Sequence, residues 1–241
     1  MIVLLTDFGI NDPYQAQLKA VVQQAVPDVP IVDLFSNLPR FNVEAASYLI
    51  PAYVNEFPSG SVFICVVDPG VGSSRLPVML KLDGNWFVGP DNGIFEILWR
   101  RASKREIYKI DWRPENVSNS FHGRDIFAPV ACALHQHKIP KHGFLSRPDA
   151  NASHWPDELL EIIYIDHFGN SITGVRANKV AEDTLLVIGQ QQIKFAKTFS
   201  DVRVGQLFWY CNSNGLLEIS ANQDNASKIL NIRCGSKVLI K

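Results

Sequence analysis

The sequence predicts an α/β domain with a largely parallel central sheet, followed by a smaller, mainly-β domain. Three observations carry this. Over the first 140 residues, β-branched apolar runs alternate with amphipathic helical stretches. The periodicity then lapses in a stretch containing Pro140, Gly143, Pro148, Asn151 and Pro156. Beyond it the pattern changes to short strands separated by turn residues. The expected organisation is residues 1–140 as the α/β domain, 141–157 as a linker and 158–241 as the β-rich domain. A chain of 241 residues is long enough for two cores.

The first strand is expected at residues 2–6, an apolar run that meets Asp7 before any leader-like stretch can form and lacks a basic segment ahead of it. That reading places the protein in the cytoplasm. Further strands are expected at 31–34, 61–67, 78–82 and 106–110, where β-branched and apolar residues cluster. Residues 14–26, 43–57, 93–101 and 125–137 carry the helical spacing. In the second domain the strands fall at 161–165, 171–175, 184–188, 192–196, 206–211 and 216–220. Asn214-Gly215 is a tight-turn signal between the last two, and one short helix is expected near 226–230.

A formal net charge of -1 gives no electrostatic reason for nucleic acid or an acidic membrane surface as partner. No run approaches the roughly 18 apolar residues of a membrane helix. Small molecules are the better expectation. Cys65, Cys132, Cys211 and Cys234 are widely spaced and form no CxxC pair, so they read as buried free thiols.

Polar residues gather where strands of the first domain should end: Thr6 to Gly9, Val67 to Arg75, Gly89 to Gly93 and Phe121 to Asp125. The carboxyl ends of strands form the crevice of open α/β sheets, so these loops are placed to meet. Each has a plainer reading. Asp7 suits a turn or cap, Asp91-Asn92-Gly93 is turn chemistry, and Asp125 suits a helix N-cap. A buried Asp68–Arg75 pair would be costly unless geometry or function justified it.

Two other readings compete. Asp68-Pro-Gly70-Val-Gly72 imitates the glycine-rich loop of Rossmann methyltransferases, although Ser74 stands at the third-glycine position and a strand, rather than a helix, should follow. A dinuclear hydrolase would use Asp7, Asp68, Asp91 and His122, but no two of these share a short metal-motif spacing. His135, His137 and His142 fall at a helix end and in the linker. No metal site is expected.

Six segments together resemble one family: TDFG at Thr6, VVDPGVGSSR at Val66, GPDNG at Gly89, FHGRDIFAP at Phe121, DHFGN at Asp166 and YCNSNGLLEISAN at Tyr210. Their order and spacing are similar to those of the S-adenosylmethionine hydroxide adenosyltransferases, relatives of the fluorinating and chlorinating adenosyltransferases. The resemblance implies a homotrimer with each site between the first domain of one subunit and the second domain of its neighbour.

It also implies hydrolysis of S-adenosylmethionine to adenosine and methionine, with no cofactor. The characteristic Asp-Arg-His trio falls on Asp68, Arg75 and His122. Where halogenating relatives carry an aromatic residue and a halide-contacting serine, this chain has Asp68 and Gly123, which sides with water as nucleophile. The resemblance puts Asp7 on the ribose diol, Phe168 against the nucleoside, Asn170 on the adenine edge, and Asp166 and Ser213 near the methionine portion, with Phe8 and Gly123 also among the substrate-binding residues. Asn214 stands where halogenating relatives have arginine, which leaves the carboxylate contact open. Arg75, held by Asp68, would orient water, and His122 is one candidate to accept its proton near neutral pH; the sequence does not decide which residue takes it. A Rossmann-type methyltransferase and a non-catalytic adenine-nucleoside binder remain the alternatives.

Overall fold

The computed structural model describes residues 1–145 and 155–241. The chain divides into two compact units, Met1–Ser153 and His154–Lys241.

In the first unit, β1 (Ile2–Thr6) lies between β2 (Ile31–Phe35) and β3 (Val62–Val66), parallel to both. All five residues of β1 are buried, which is why this strand reads as an unbroken apolar run rather than an alternating one. The sheet continues through β5 (Asn85–Pro90), β4 (Pro77–Leu82), β6 (Arg105–Ile110) and β7 (His142–Phe144), in the order β2-β1-β3-β5-β4-β6-β7. β4 and β7 run against the rest.

Helices cover both faces. α1 (Pro13–Ala25) starts with Pro at its first position, where the missing N–H costs nothing, and α4 (Ala128–His135) packs beside it. With β1 and β3 they close one core, including Leu4, Leu18, Ile64 and Phe127. α2 (Val43–Tyr53) is capped by Asn42, whose side chain accepts from the Ala45 amide at 2.9 Å, and packs beside α3 (Glu96–Arg101). The described residues contain no helix long and apolar enough to cross a membrane.

The second unit is mainly β. β8 (Leu159–Ile165), β9 (Ser171–Arg176), β12 (Leu207–Cys211) and β13 (Leu216–Ala221) form an antiparallel sheet in the order β12-β13-β9-β8. β10 (Leu186–Ile188), β11 (Gln191–Ile193) and β14 (Leu239–Ile240) form a second, smaller sheet, and α5 (Ala226–Ile229) is the short helix expected there. Trp209 fills the core and donates its indole N–H to the Thr184 carbonyl at 3.0 Å.

Four expectations need correction. β5 runs through Gly89 and Pro90, which read as loop; a Cβ on Gly89 would lie 2.3 Å from the Cys65 carbonyl oxygen, so close strand approach demands glycine there. The stretch read as linker opens with β7, an edge strand held by backbone bonds that leave no side-chain period; its residues 146–154 lie outside those described. Asp125 is no N-cap, because Gly123–Phe127 forms a π-helical turn that runs straight into α4. Of the cysteines, Cys65 and Cys132 are buried, but Cys211 ends an edge strand and Cys234 lies between strands, and both are exposed.

Candidate active site

Asp7, Phe8, Asp68, His122 and Gly123 line one cavity of about 340 Å³ in the first unit. Three of the four polar loops therefore meet at the carboxyl ends of β1 and β3. The fourth serves them from behind: Asn92 donates its amide to the Val67 carbonyl at 2.9 Å and accepts from the Ile94 amide.

Asp68 and Arg75 form a two-armed ion pair. Arg75 Nε donates to Asp68 Oδ1 at 3.0 Å and Nη2 to Oδ2, with both side chains less than a tenth exposed. Turn bonds from Val71 N to Asp68 O and from Ser73 N to Gly70 O fold the intervening loop back on itself. Gly72 has φ +82°, and a Cβ there would stand 2.7 Å from the Asn119 carbonyl oxygen; glycine lets this loop press against the strand of chain leading to His122. As a result Arg75 Nη2 also lies 2.8 Å from His122 Nδ1. The guanidinium sits over the Phe127 ring, and Nη1 is buried with no hydrogen-bond partner among the described residues.

An arginine N–H only donates, so His122 Nδ1 must accept; the neutral ring then carries its proton on Nε2, a tautomer assigned from this bond. Burial, and then the Arg75 charge, hold the His122 pKa below its ordinary value. The ring is neutral near pH 7 and offers a donor, rather than a free lone pair, at Nε2.

Asp7 leaves the end of β1 and accepts from the Phe41 amide at 3.0 Å through Oδ2. Burial pushes its carboxyl above the usual carboxylate range, against the Phe41 bond. Phe8, Tyr14 and Phe121 pack edge to face with ring centroids 5.6 to 6.1 Å apart and form an apolar wall. A Cβ on Gly123 would meet Phe8 Cζ at 3.2 Å, so a larger residue there would press on that wall. Burial raises the Asp125 pKa, but bonds from Arg124 and from the Ser118 amide outweigh it and the net shift is downward; Asp125 thus anchors the approach to Phe121.

The second unit gathers Asp166, Phe168 and Asn170 in the turn between β8 and β9. Asp166 Oδ1 accepts from the amides of Phe168 and Asn170, both at 2.9 Å, and Oδ2 from the Asn170 side-chain amide at 2.8 Å. Asp166 therefore sets the direction of the Asn170 amide and keeps acceptor capacity in reserve. Phe168 is 72% exposed. Gly169 has φ +90°, and the Asn225 side chain fills the place of its missing Cβ. Ser213 lies in the β12–β13 turn, beyond Leu216, which pairs with Arg176; Asn170 precedes Ser171, which pairs with Ile219. Three strand residues separate these rows, about 10 Å.

Sequence reasoning missed Arg40 and Phe41, which line the cavity of the first unit, because neither belongs to a recognisable motif. It also missed Glu218, which is buried and accepts from Tyr210, Asn212 and Ser220. Asn212 Oδ1 in turn accepts from the amides of Asn214 and Leu216, so this network shapes the turn that carries Ser213. The methyltransferase reading fails on geometry: the glycine-bearing loop after β3 leads into β4, with no helix N-terminus to receive a ligand.

The chain is 32% identical to (R)-S-adenosyl-L-methionine hydrolase of Thermus thermophilus, over 98% of both chains. It is 31% identical to the protein of that name from Methanocaldococcus jannaschii, over 96% of this chain and 92% of the relative. A solved structure of a conserved protein from Thermotoga maritima superposes with a TM-score of 0.88 at 32% identity, covering all of both chains. Residues 2–143 match the N-terminal domain of the SAM hydroxide adenosyltransferases and residues 160–239 their C-terminal domain, and the chain belongs to that family.

Proposed function

We infer that this chain hydrolyses (R)-S-adenosyl-L-methionine to adenosine and L-methionine. The observation that carries the reading is one cavity in which a carboxylate suited to a ribose diol, Asp7, stands beside the Asp68–Arg75–His122 cluster. Two relatives matched over nearly their whole length bear the hydrolase name, which supports the same reading.

Water attacks the ribose 5′ carbon as the carbon–sulfur bond breaks, and the bonding pair leaves on sulfur. The leaving group is a neutral thioether expelled from a sulfonium, so no general acid and no cofactor is required. The Nε2–H of His122 orients the water, and Arg75, which does not itself line the cavity, holds both His122 and Asp68 in place. Asp68, which lines the cavity and spends only part of its acceptor capacity on Arg75, takes the proton and passes it to solvent. Alignment supplies much of the acceleration, and the Phe8–Tyr14–Phe121 wall excludes other water.

Asn170 is assigned to the adenine edge, Phe168 to the nucleoside face, and Asp166 and Ser213 to the methionine portion. In the proposed homotrimer, the second unit of a neighbouring subunit brings these residues to the cavity. Incubation with the (R) and (S) sulfonium epimers tests the function. Adenosine and methionine from the (R) epimer support it; S-adenosylhomocysteine formed with an acceptor, or binding without turnover, would replace it with a methyltransferase or a nucleoside-binding protein.

A further inference from the structure

We propose that Arg40 recognises the carboxylate of the substrate's methionine end. This rests on the hydrolase reading and supplies the carboxylate contact, which the assignment of Asp166 and Ser213 to the methionine portion leaves open.

Arg40 is the only lysine or arginine among the residues that line the cavity, and among the described residues it makes no hydrogen bond or ion pair. The other charged lining groups are Asp7 and Asp68, and Asp68 is already neutralised by Arg75. Such a lining suits the sulfonium and the ribose hydroxyls but would repel a carboxylate. S-adenosylmethionine carries one, and the Arg40 guanidinium, whose charge is felt by Asp7 without a hydrogen bond or ion pair to it, is the complementary group at the same cavity.

The backbone gives that guanidinium a defined origin. Leu38 N donates to Thr6 O at 3.0 Å and Gly9 N to Ser36 O at 2.6 Å, so the segment is stitched to the end of β1 on both sides. Asn42 N donates to Pro39 O at 3.1 Å, closing a turn with Arg40 and Phe41 at its tip. Phe41 sits at φ +59°, a conformation that a bulky residue rarely takes, and its amide is fixed on the Asp7 carboxylate. The strained turn thus places Arg40 next to Phe41, whose amide holds the Asp7 carboxylate, and leaves its long side chain exposed at the edge of the cavity.

The test is a cycle between protein and ligand. Wild type, Arg40→Met and Arg40→Lys are assayed with S-adenosylmethionine and with its decarboxylated analogue, which keeps the sulfonium, the ribose, the adenine and the amine. Wild type is expected to favour the carboxylate-bearing substrate by about tenfold or more in kcat/KM, the range of one charge-assisted contact. Arg40→Met should lose about that factor on S-adenosylmethionine, through KM rather than kcat, and change little on the analogue. Arg40→Lys should recover part of the loss. Equal losses on both ligands, or none on either, would overturn the assignment. Calorimetric binding of the same ligands separates this from the parent reading: no turnover by wild type refutes the hydrolase, while the binding cycle still decides Arg40.

Discussion

Arg75 Nη2 and His122 Nδ1 stand 2.8 Å apart, and the contact gives the histidine the role of donor to the reacting water. Protonating the ring would set an N–H against the guanidinium. Burial and Arg75 hold the His122 pKa below 6.5, so the rate should be flat near neutral pH and fall on an acid limb below that value. Stability has the same sign: the unfolded chain takes up the proton first, so stability falls as pH drops through 6.5 toward the folded pKa. His122→Asn should slow turnover and abolish this limb. Neither imidazole nor higher pH should restore the rate; rescue by imidazole would make His122 the base.

The Asp68–Arg75 pair is nearly buried, so removing one partner strands a charge. Asp68→Leu and Arg75→Met should each cost about 3–5 kcal/mol in urea unfolding, and the double variant much less than their sum. The double variant should fold and be inactive. Additive losses would show that the two side chains are not coupled.

The parts of this molecule that were legible are those whose cause is local. β1 is readable because burial on both faces demands an unbroken apolar run, and the hairpin turn at Asn214-Gly215 because Gly215, at φ +79°, needs glycine. β5 was not readable, since Gly89 and Pro90 look like loop until the Cys65 backbone is seen against them. Asp125 was misread because a π-helical turn has no sequence period of its own. The loops of Asp7, Asp68 and His122 were recognisable as motifs, whereas Arg40 and Phe41 reach the cavity only through long-range bonds to β1.

Asp7 is expected to bind the ribose diol as a carboxylate. Asp7→Asn should lower kcat/KM about tenfold or more, and removal of the substrate's 2′-hydroxyl should matter less in the variant than in wild type. Because burial raises the Asp7 pKa, loss of substrate binding on acidification should begin above 3.8. Independent effects of the mutation and the missing hydroxyl would separate Asp7 from the diol.

Gly169→Ala sets a Cβ within 2.2 Å of the Asn225 side chain, on a backbone at φ +90°. The turn that holds Phe168 and Asn170 should distort, weakening adenosine binding in titration calorimetry while the thermal stability of the Asp68–Arg75 region is kept. Asn225→Ala should relieve the clash but leave the backbone strain of about 1–2 kcal/mol, so rescue should be partial. Unchanged adenosine affinity in Gly169→Ala would remove this turn from the nucleoside site.

Water as nucleophile at the 5′ carbon is tested most directly by a single turnover of (R)-S-adenosyl-L-methionine in ¹⁸O-enriched water containing concentrated chloride, followed by mass spectrometry of the nucleoside. Adenosine carrying one ¹⁸O at its 5′ oxygen, with the methionine unlabelled, is the expected product. Chlorodeoxyadenosine as the main product, or adenosine without the label, would contradict water attack at the Asp68–Arg75–His122 cluster.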